Sequence, residues 1–192
     1  GETLSDEMIQ MVLEEAEERM TEAVAHSKKE FSTIRTGRAS SSLVERIAVD
    51  AYGVEMKLQE LASFSVPEAR QLLITPHDPG NVVAVEKAIT KAELGLTPSN
   101  DGHSIRLSFP ELTQERRHEL VRMVNSMAEE GKNRLRGQRR NGRKDLDDIS
   151  GSAGVSEDDI KHASDRLDEL IHKYEAVIDQ ARASKESELL EV

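Results

Sequence analysis

The chain has 192 residues, enough for one ordinary domain or two small ones, and a formal net charge of −11. Aromatic residues reach only 3% and tryptophan is absent, which argues against a large aromatic core. With 36% hydrophobic and 33% charged residues, long helices packed along aliphatic seams fit better. The absence of cysteine excludes disulfides and thiolate metal sites. No apolar stretch reaches the roughly 20 residues of a membrane span, so no membrane partner is expected. The acidic amino terminus lacks the basic and apolar regions of a secretory signal, and Gly1 reads as a scar or a processed end. The simplest compartment is the cytoplasm.

The first expected helix runs from about Ser5 to Thr36, with Asp6 and Glu7 in the turn where the helix dipole favours anions. Its apolar stripe is Met8, Val12, Ala16, Met20, Ala23 and Ser27, continuing to Phe31 and Ile34. From about Arg38 to Glu111 the period shortens. Residues 46–51, 72–74 and 105–109 read as strands, 81–92 as a short helix, and Asn100-Asp-Gly102 as a turn. A second long helix follows Pro110, with Thr113 as its N-cap, and reaches about Ile149. Residues 150–155 form a flexible turn, so the third helix returns antiparallel to the second. That third helix opens on the capping box Ser156-Glu-Asp-Asp159 and carries the seam Ile160, Ala163, Leu167, Leu170, Tyr174, Val177 and Ala181.

Three long stripes must bury one another. The expected fold is therefore α+β: an elongated three-helix bundle from residues 1–36 and 112–192, with a small β/α/β domain inserted at 37–111. Two crossings join the parts, near Thr36-Gly37-Arg38 and Ser108-Phe-Pro-Glu111, and each contains Gly or Pro.

The second helix holds the most informative feature. Residues 132–144 carry seven positive charges and no negative one, leaving −18 for the rest of the chain. At about 100° per residue, Lys132, Arg136, Arg139, Arg140 and Arg143 fall within roughly a third of the helix circumference. Leu120, Met127, Leu135, Leu146 and Ile149 fall on a separate face. One reading is a solvated face that keeps the helix soluble. The other is a phosphate grip on RNA or DNA, which the planar fork of arginine suits.

Catalytic chemistry is not evident. The six histidines form no HxxxH or HExxH pair, and 95–102 lacks the Gly-Lys-Ser/Thr of a phosphate loop. Gly-x-Ser-x-Gly is also missing. Glu14-Glu15 and Asp158-Asp159 fall on exposed helix faces. No catalytic residue, metal or cofactor is expected, and function should reside in contact surfaces.

Several segments resemble one family in order along nearly the whole chain. They are Ile34-Arg-Thr-Gly-Arg-Ala-Ser40, Tyr52-Gly53, Ser65-Val-Pro-Glu-Ala-Arg70, Val85-Glu-Lys-Ala-Ile89 and Leu94-Gly-Leu-Thr-Pro98. Asn100-Asp-Gly102, Leu112-Thr-Gln-Glu-Arg-Arg117, the arginine run and Lys185–Val192 continue the match. By these motifs the chain resembles the bacterial ribosome recycling factors. The resemblance implies an L-shaped two-domain arrangement on a two-strand hinge. It implies a monomer that hydrolyses nothing itself and that, with elongation factor G and GTP, splits the post-termination ribosome into subunits, releasing mRNA and tRNA. It places Arg136, Arg139 and Arg140 against large-subunit ribosomal RNA, with Lys132 and Arg143 on the same face and no role for DNA. It places the hinge at Arg35, Thr36, Gly37, Arg38, Pro110 and Glu111.

Two departures stand out. Ser41 occupies a position where the family commonly has Pro, which would loosen the start of the inserted domain. Gly131, Gly137 and Gly142 interrupt the basic helix, each costing about 1 kcal/mol relative to Ala. Close helix packing and local softening both account for them at this stage. A coiled-coil adaptor or chaperone would share the long seams, but it leaves the basic run unexplained.

Overall fold

The computed structural model describes residues 3–152 and 154–191. Gly1, Val192 at the end of the matched C-terminal segment, and Ala153 in the 150–155 turn lie outside the described residues. In chain order the elements are α1 (Leu4–Ser32), β1 (Ala48–Ala51), β2 (Val54–Lys57), a single turn α2 (Leu58–Leu61), β3 (Ala62–Glu68) and β4 (Gln71–Pro76). They continue as α3 (Val82–Lys91), β5 (Pro98–Asn100), β6 (Ile105–Ser108), α4 (Gln114–Ile149) and α5 (Glu157–Leu190). The chain divides into two compact units, Gly1–Ile34 with Gln114–Val192, and Arg35–Thr113.

The first unit is the helical bundle. Thr3 and Asp6 cap α1 reciprocally, each backbone N–H donating to the other's side chain at 3.2 Å. The helix ends at Ser32, short of Thr36, for a local reason. The hydroxyls of Ser32 and Thr33 donate to the Lys29 and Glu30 carbonyls at 2.6 Å, competing with continued helix. Val12, Ala16, Met20, Ala23, Ser27 and Phe31 are buried as the stripe required, whereas Met8 is half-buried. The Ser156–Asp159 box caps α5. Its core face, however, is Ala163, Leu167, Leu170, Ile171, Ile178 and Leu189, with Tyr174, Val177 and Ala181 only half-buried. The expected seam advanced 3.5 residues per turn. A helix of 3.6 drifts about 20° per heptad from that line, which brings Ile171 and Ile178 inward. Tyr174 instead stands at the edge, donating to Glu17 at 2.8 Å.

Interhelical contacts fix the directions. Ser27 meets Gly131 and Ala16 meets Gly142, so α1 and α4 are antiparallel. A Cβ on Gly131 would collide with Ser27 Oγ and sit 3.2 Å from Ile178 Cδ1; one on Gly142 would meet both Leu167 methyls at 3.0 and 3.1 Å. These two glycines are therefore packing residues. Gly137 is different, since a Cβ there would meet only Arg140 Nη2 at 3.7 Å. At the bundle's other end Arg117, buried at the start of α4, donates through Nη1 to the carbonyls of Leu189 and Glu191 at 2.7 and 2.8 Å. It satisfies orphan acceptors of the last α5 turn.

The second unit is a four-stranded antiparallel sheet, in the order β3-β4-β6-β5, with α3 and the β1–β2 hairpin. Leu72 faces Leu107 and Ile74 faces Ile105 across β4 and β6, and all four are fully buried. Val82, Val85 and Ile89 of α3 join the same core, together with Val49 of β1. In the 100–104 turn Asp101 Oδ1 accepts from the backbone N–H groups of His103 and Ser104 at 2.9 and 2.7 Å. Those two bonds hold the Asp101 carboxyl below its usual range.

The crossing segments are tied within this unit. Ala39 N donates to the Ala69 carbonyl, and Phe109 N to the Arg70 carbonyl, both at 2.8 Å. Gly37 adopts φ +81°, with Leu112 Cγ 3.2 Å from where a Cβ would stand. Ser41 begins a 3-10 turn capped by Ser40, and its hydroxyl donates to Glu45 at 2.6 Å. A side-chain bond thus holds the place where a proline ring would have stiffened the chain.

Candidate nucleic-acid interface

Helical geometry distributes the basic run over three flanks of α4. Leu135, Gly142 and Leu146, with Gly131 and Ala128 before them, form the buried face. Lys132, Arg136, Arg139 and Arg143 lie on the flank facing α5, where three carboxylates meet them: Asp179, Glu175 and Asp168. Arg134 and Asp145 lie on the flank facing α1 and pair with Glu30 and Arg19. Arg140 and Lys144, one turn apart, point outward and are exposed.

The five residues grouped from sequence therefore do not form one free ridge. Four of them pair with acids that the neighbouring helix supplies, and only Arg140 makes no ion pair or hydrogen bond among the described residues. The distances divide the four. Lys132 Nζ–Asp179 Oδ1 is 2.7 Å and Arg143 Nη2–Asp168 Oδ1 is 2.8 Å, within hydrogen-bonding range. Arg136 Nη2–Glu175 Oε2 is 3.9 Å and Arg139 Nη1–Asp168 Oδ1 is 3.7 Å, beyond it. Arg139 Nε is buried without a hydrogen-bond acceptor among the described residues. Pairs this loose are worth about 0–1 kcal/mol, so a phosphate that offers two lone-pair oxygens competes well against them.

Lys144 and Arg134 were missed by the helical-wheel grouping, although both belong to the run. The acids of α5 were also legible in part: Asp168, Glu175 and Asp179 advance by seven and four residues, the spacing of one helix flank. Among the described residues no group of three His, Asp or Glu could hold a metal ion, and no helix is long and apolar enough to cross a membrane.

The family described as ribosome recycling factor matches residues 27–190. The chain is 47% identical over 180 residues to the ribosome-recycling factor of Rubrobacter xylanophilus, covering 94% of this chain and 97% of that one. It is 44% identical over 185 residues to that of Bacillus cereus, covering 96% and 100%. A solution structure of a ribosome recycling factor superimposes with a TM-score of 0.75 at 40% identity, over 96% of this chain and 98% of that one. A second structure contains the T. thermophilus recycling factor and E. coli elongation factor G bound to the E. coli post-termination complex. It gives a TM-score of 0.62 at 32% identity, over 95% of this chain and 98% of that one. The chain belongs to the ribosome recycling factor family.

Proposed function

We propose that this protein binds the post-termination ribosome through large-subunit ribosomal RNA and, together with elongation factor G and GTP, splits it into subunits, releasing mRNA and tRNA. It acts as a cytoplasmic monomer and as a mechanical partner of the GTPase, without a reaction of its own. Membership of the family supports the activity, and the relative bound with elongation factor G on a post-termination complex supports the partners.

The observation that carries the RNA-contact assignment is the grading of the arginine pairs. Arg136 and Arg139 are loosely ion-paired, Arg136 also donating to Asn133 Oδ1 at 2.9 Å, and Arg140 is unpaired among the described residues, so these three can turn to phosphate at little cost. The tight pairs of Lys132 and Arg143 give those two residues a larger part in joining α4 to α5. The hinge assignment covers Arg35, Thr36, Gly37 and Arg38 on one strand and Pro110 and Glu111 on the other. Its support is the left-handed backbone of Gly37 (φ +81°), a conformation open to glycine that turns the chain at this point.

The direct test is a splitting assay on post-termination ribosomes, with elongation factor G and GTP, in the presence and absence of this protein. Subunit release that depends on all three components supports the reading. Release unaffected by the protein overturns it.

A further inference from the structure

The exposed turn Asn100-Asp101-Gly102 leads from β5 towards β6. An aspartate followed by glycine is open to a slow covalent rearrangement. The Gly102 nitrogen attacks Asp101 Cγ, a C–N bond forms, and the nitrogen's proton leaves with the carboxyl hydroxyl as water. The succinimide so formed takes water back at either carbonyl. One hydrolysis restores aspartate; the other gives isoaspartate, in which the main chain runs through the side chain. No oxidant, reductant or cofactor enters. Glycine favours the ring because no Cβ crowds the attack. Here even a Cβ on Gly102 would meet nothing within 4 Å, so the turn has room for the ring. The chain has one other pair of this kind, Asn141-Gly142. That pair lies inside α4, where the helical ladder engages the Gly142 N–H.

The turn withholds both reacting groups. Gly102 N–H donates to Asn100 Oδ1 at 2.6 Å, so its peptide plane cannot rotate towards Asp101 Cγ without breaking that bond. Asn100 is itself oriented. Its Nδ2 donates to Glu86 Oε2 of α3 at 2.7 Å, which turns the amide oxygen, and not the amide nitrogen, to Gly102. On the other side Asp101 Oδ1 accepts from the His103 and Ser104 N–H groups at 2.9 and 2.7 Å. These bonds favour the carboxylate, whose oxygen is a poor leaving group until it is protonated.

We propose that Asp101 is a dormant isoaspartate site, and that Asn100, steered by Glu86, is the residue that keeps it dormant. The role requires an acceptor at position 100 aimed at Gly102 N, and a bond to α3 that keeps it aimed. Rearrangement would add the Asp101 Cβ to the main chain beside the last pair of β5 with β6. In that pair Asn100 stands opposite Ile105, which is fully buried, so the change would reach the core of the sheet unit. The proposal does not depend on the ribosome-binding reading, and its readout needs no ribosome.

The test ages the full chain at neutral pH as wild type, as Asn100→Ala, as Glu86→Ala, and as the exchanged pair Asn100→Asp with Glu86→Gln. Isoaspartate is measured by enzymatic methylation of its free carboxylate from S-adenosylmethionine and located by peptide mapping, and thermal unfolding checks that each variant is folded. Asn100→Ala should accumulate isoaspartate at Asp101 about tenfold faster than wild type, the rate equivalent of one lost hydrogen bond. Glu86→Ala, a change outside the turn, should also speed the reaction, because it frees the Asn100 amide to rotate. The exchanged pair reverses donor and acceptor between 86 and 100 yet leaves an oxygen for Gly102 N–H, so it should age as wild type does. Asn100→Ala within about twofold of wild type overturns the proposal, as does an exchanged pair that ages as fast as Asn100→Ala. An unchanged rate in Glu86→Ala overturns the part given to Glu86.

Discussion

Replacing Gly131 by alanine, alone and with Ser27→Ala, tests how closely the bundle helices are set. In the interior of α4 alanine gains about 1 kcal/mol of helix propensity. Against this, its Cβ would collide with Ser27 Oγ and press on Ile178 Cδ1 at 3.2 Å. Overpacking of this kind costs about 1–3 kcal/mol, so Gly131→Ala should be destabilising by about 1 kcal/mol net. Ser27 is fully buried and its hydroxyl has no hydrogen-bond partner among the described residues. Ser27→Ala should therefore stabilise by about 1 kcal/mol by removing an unsatisfied polar group. In the double variant the collision with the hydroxyl is gone and only the press on Ile178 remains against the two gains, which gives about 1–2 kcal/mol above wild type and a coupling of similar size. Circular dichroism at a helix wavelength during urea or thermal unfolding reports mainly on the bundle, where the long helices reside. A change of 1 kcal/mol should move its midpoint by about 2–4 °C. Gly137→Ala is the internal reference, since it meets no packing neighbour and should raise the midpoint by itself. If Gly131→Ala raises stability as Gly137→Ala does, or if the two substitutions at the contact simply add, the close approach of α1 to α4 is not what requires glycine.

Four further outcomes follow from the same geometry. Arg139→Ala should impair ribosome binding while shifting the unfolding midpoint little, because its 3.7 Å pair is weak; an equal loss of fold would make it a structural residue. If about four phosphates are neutralised, log K for ribosome binding should fall with log salt at a slope near −3 to −4, and a slope near zero removes the electrostatic part of the reading. Gly37→Pro forces φ from +81° towards about −65° and should uncouple splitting from binding; wild-type splitting rates would count against hinge-driven action. Asp101 has a lowered folded pKa, so its carboxylate adds stability above the usual 3.8 and loses it as pH falls through the folded value. The stability gap between wild type and Asp101→Asn should accordingly narrow in acid, and a gap constant down to pH 3 (about one unit below that value) refutes the role of the two turn bonds.

Most of the bundle was legible because long amphipathic stripes and a capping box are local signals. Thr113 marked the start of α4 for the same reason, as the residue before its first turn. The α5 seam was misjudged because residue spacing alone does not say whether helices supercoil, and Ile171 and Ile178 follow 3.6 rather than 3.5. In the sheet unit β4 and β6 announced themselves with alternating or continuous aliphatics. By contrast β3 escaped notice, since most of its residues are exposed and Pro67 lies within a register shift. β5 is only three residues long and begins with Pro98. The candidate interface was half legible: the charges are local and could be counted, but the carboxylates that partner them are 25 or more residues away in sequence, on another helix. A helical wheel places arginines on a flank; it does not say what stands opposite.

The grip of Arg117 on the Leu189 and Glu191 carbonyls has a consequence for how the nascent chain matures. The sheet unit is one continuous stretch and can assemble as soon as Thr113 has been synthesised, whereas α1 must wait, its oily stripe uncovered, until both later helices emerge. The bundle closes last, when the final turn of α5 reaches the guanidinium near the start of α4, so of the three long helices α1 stays longest without its full cover.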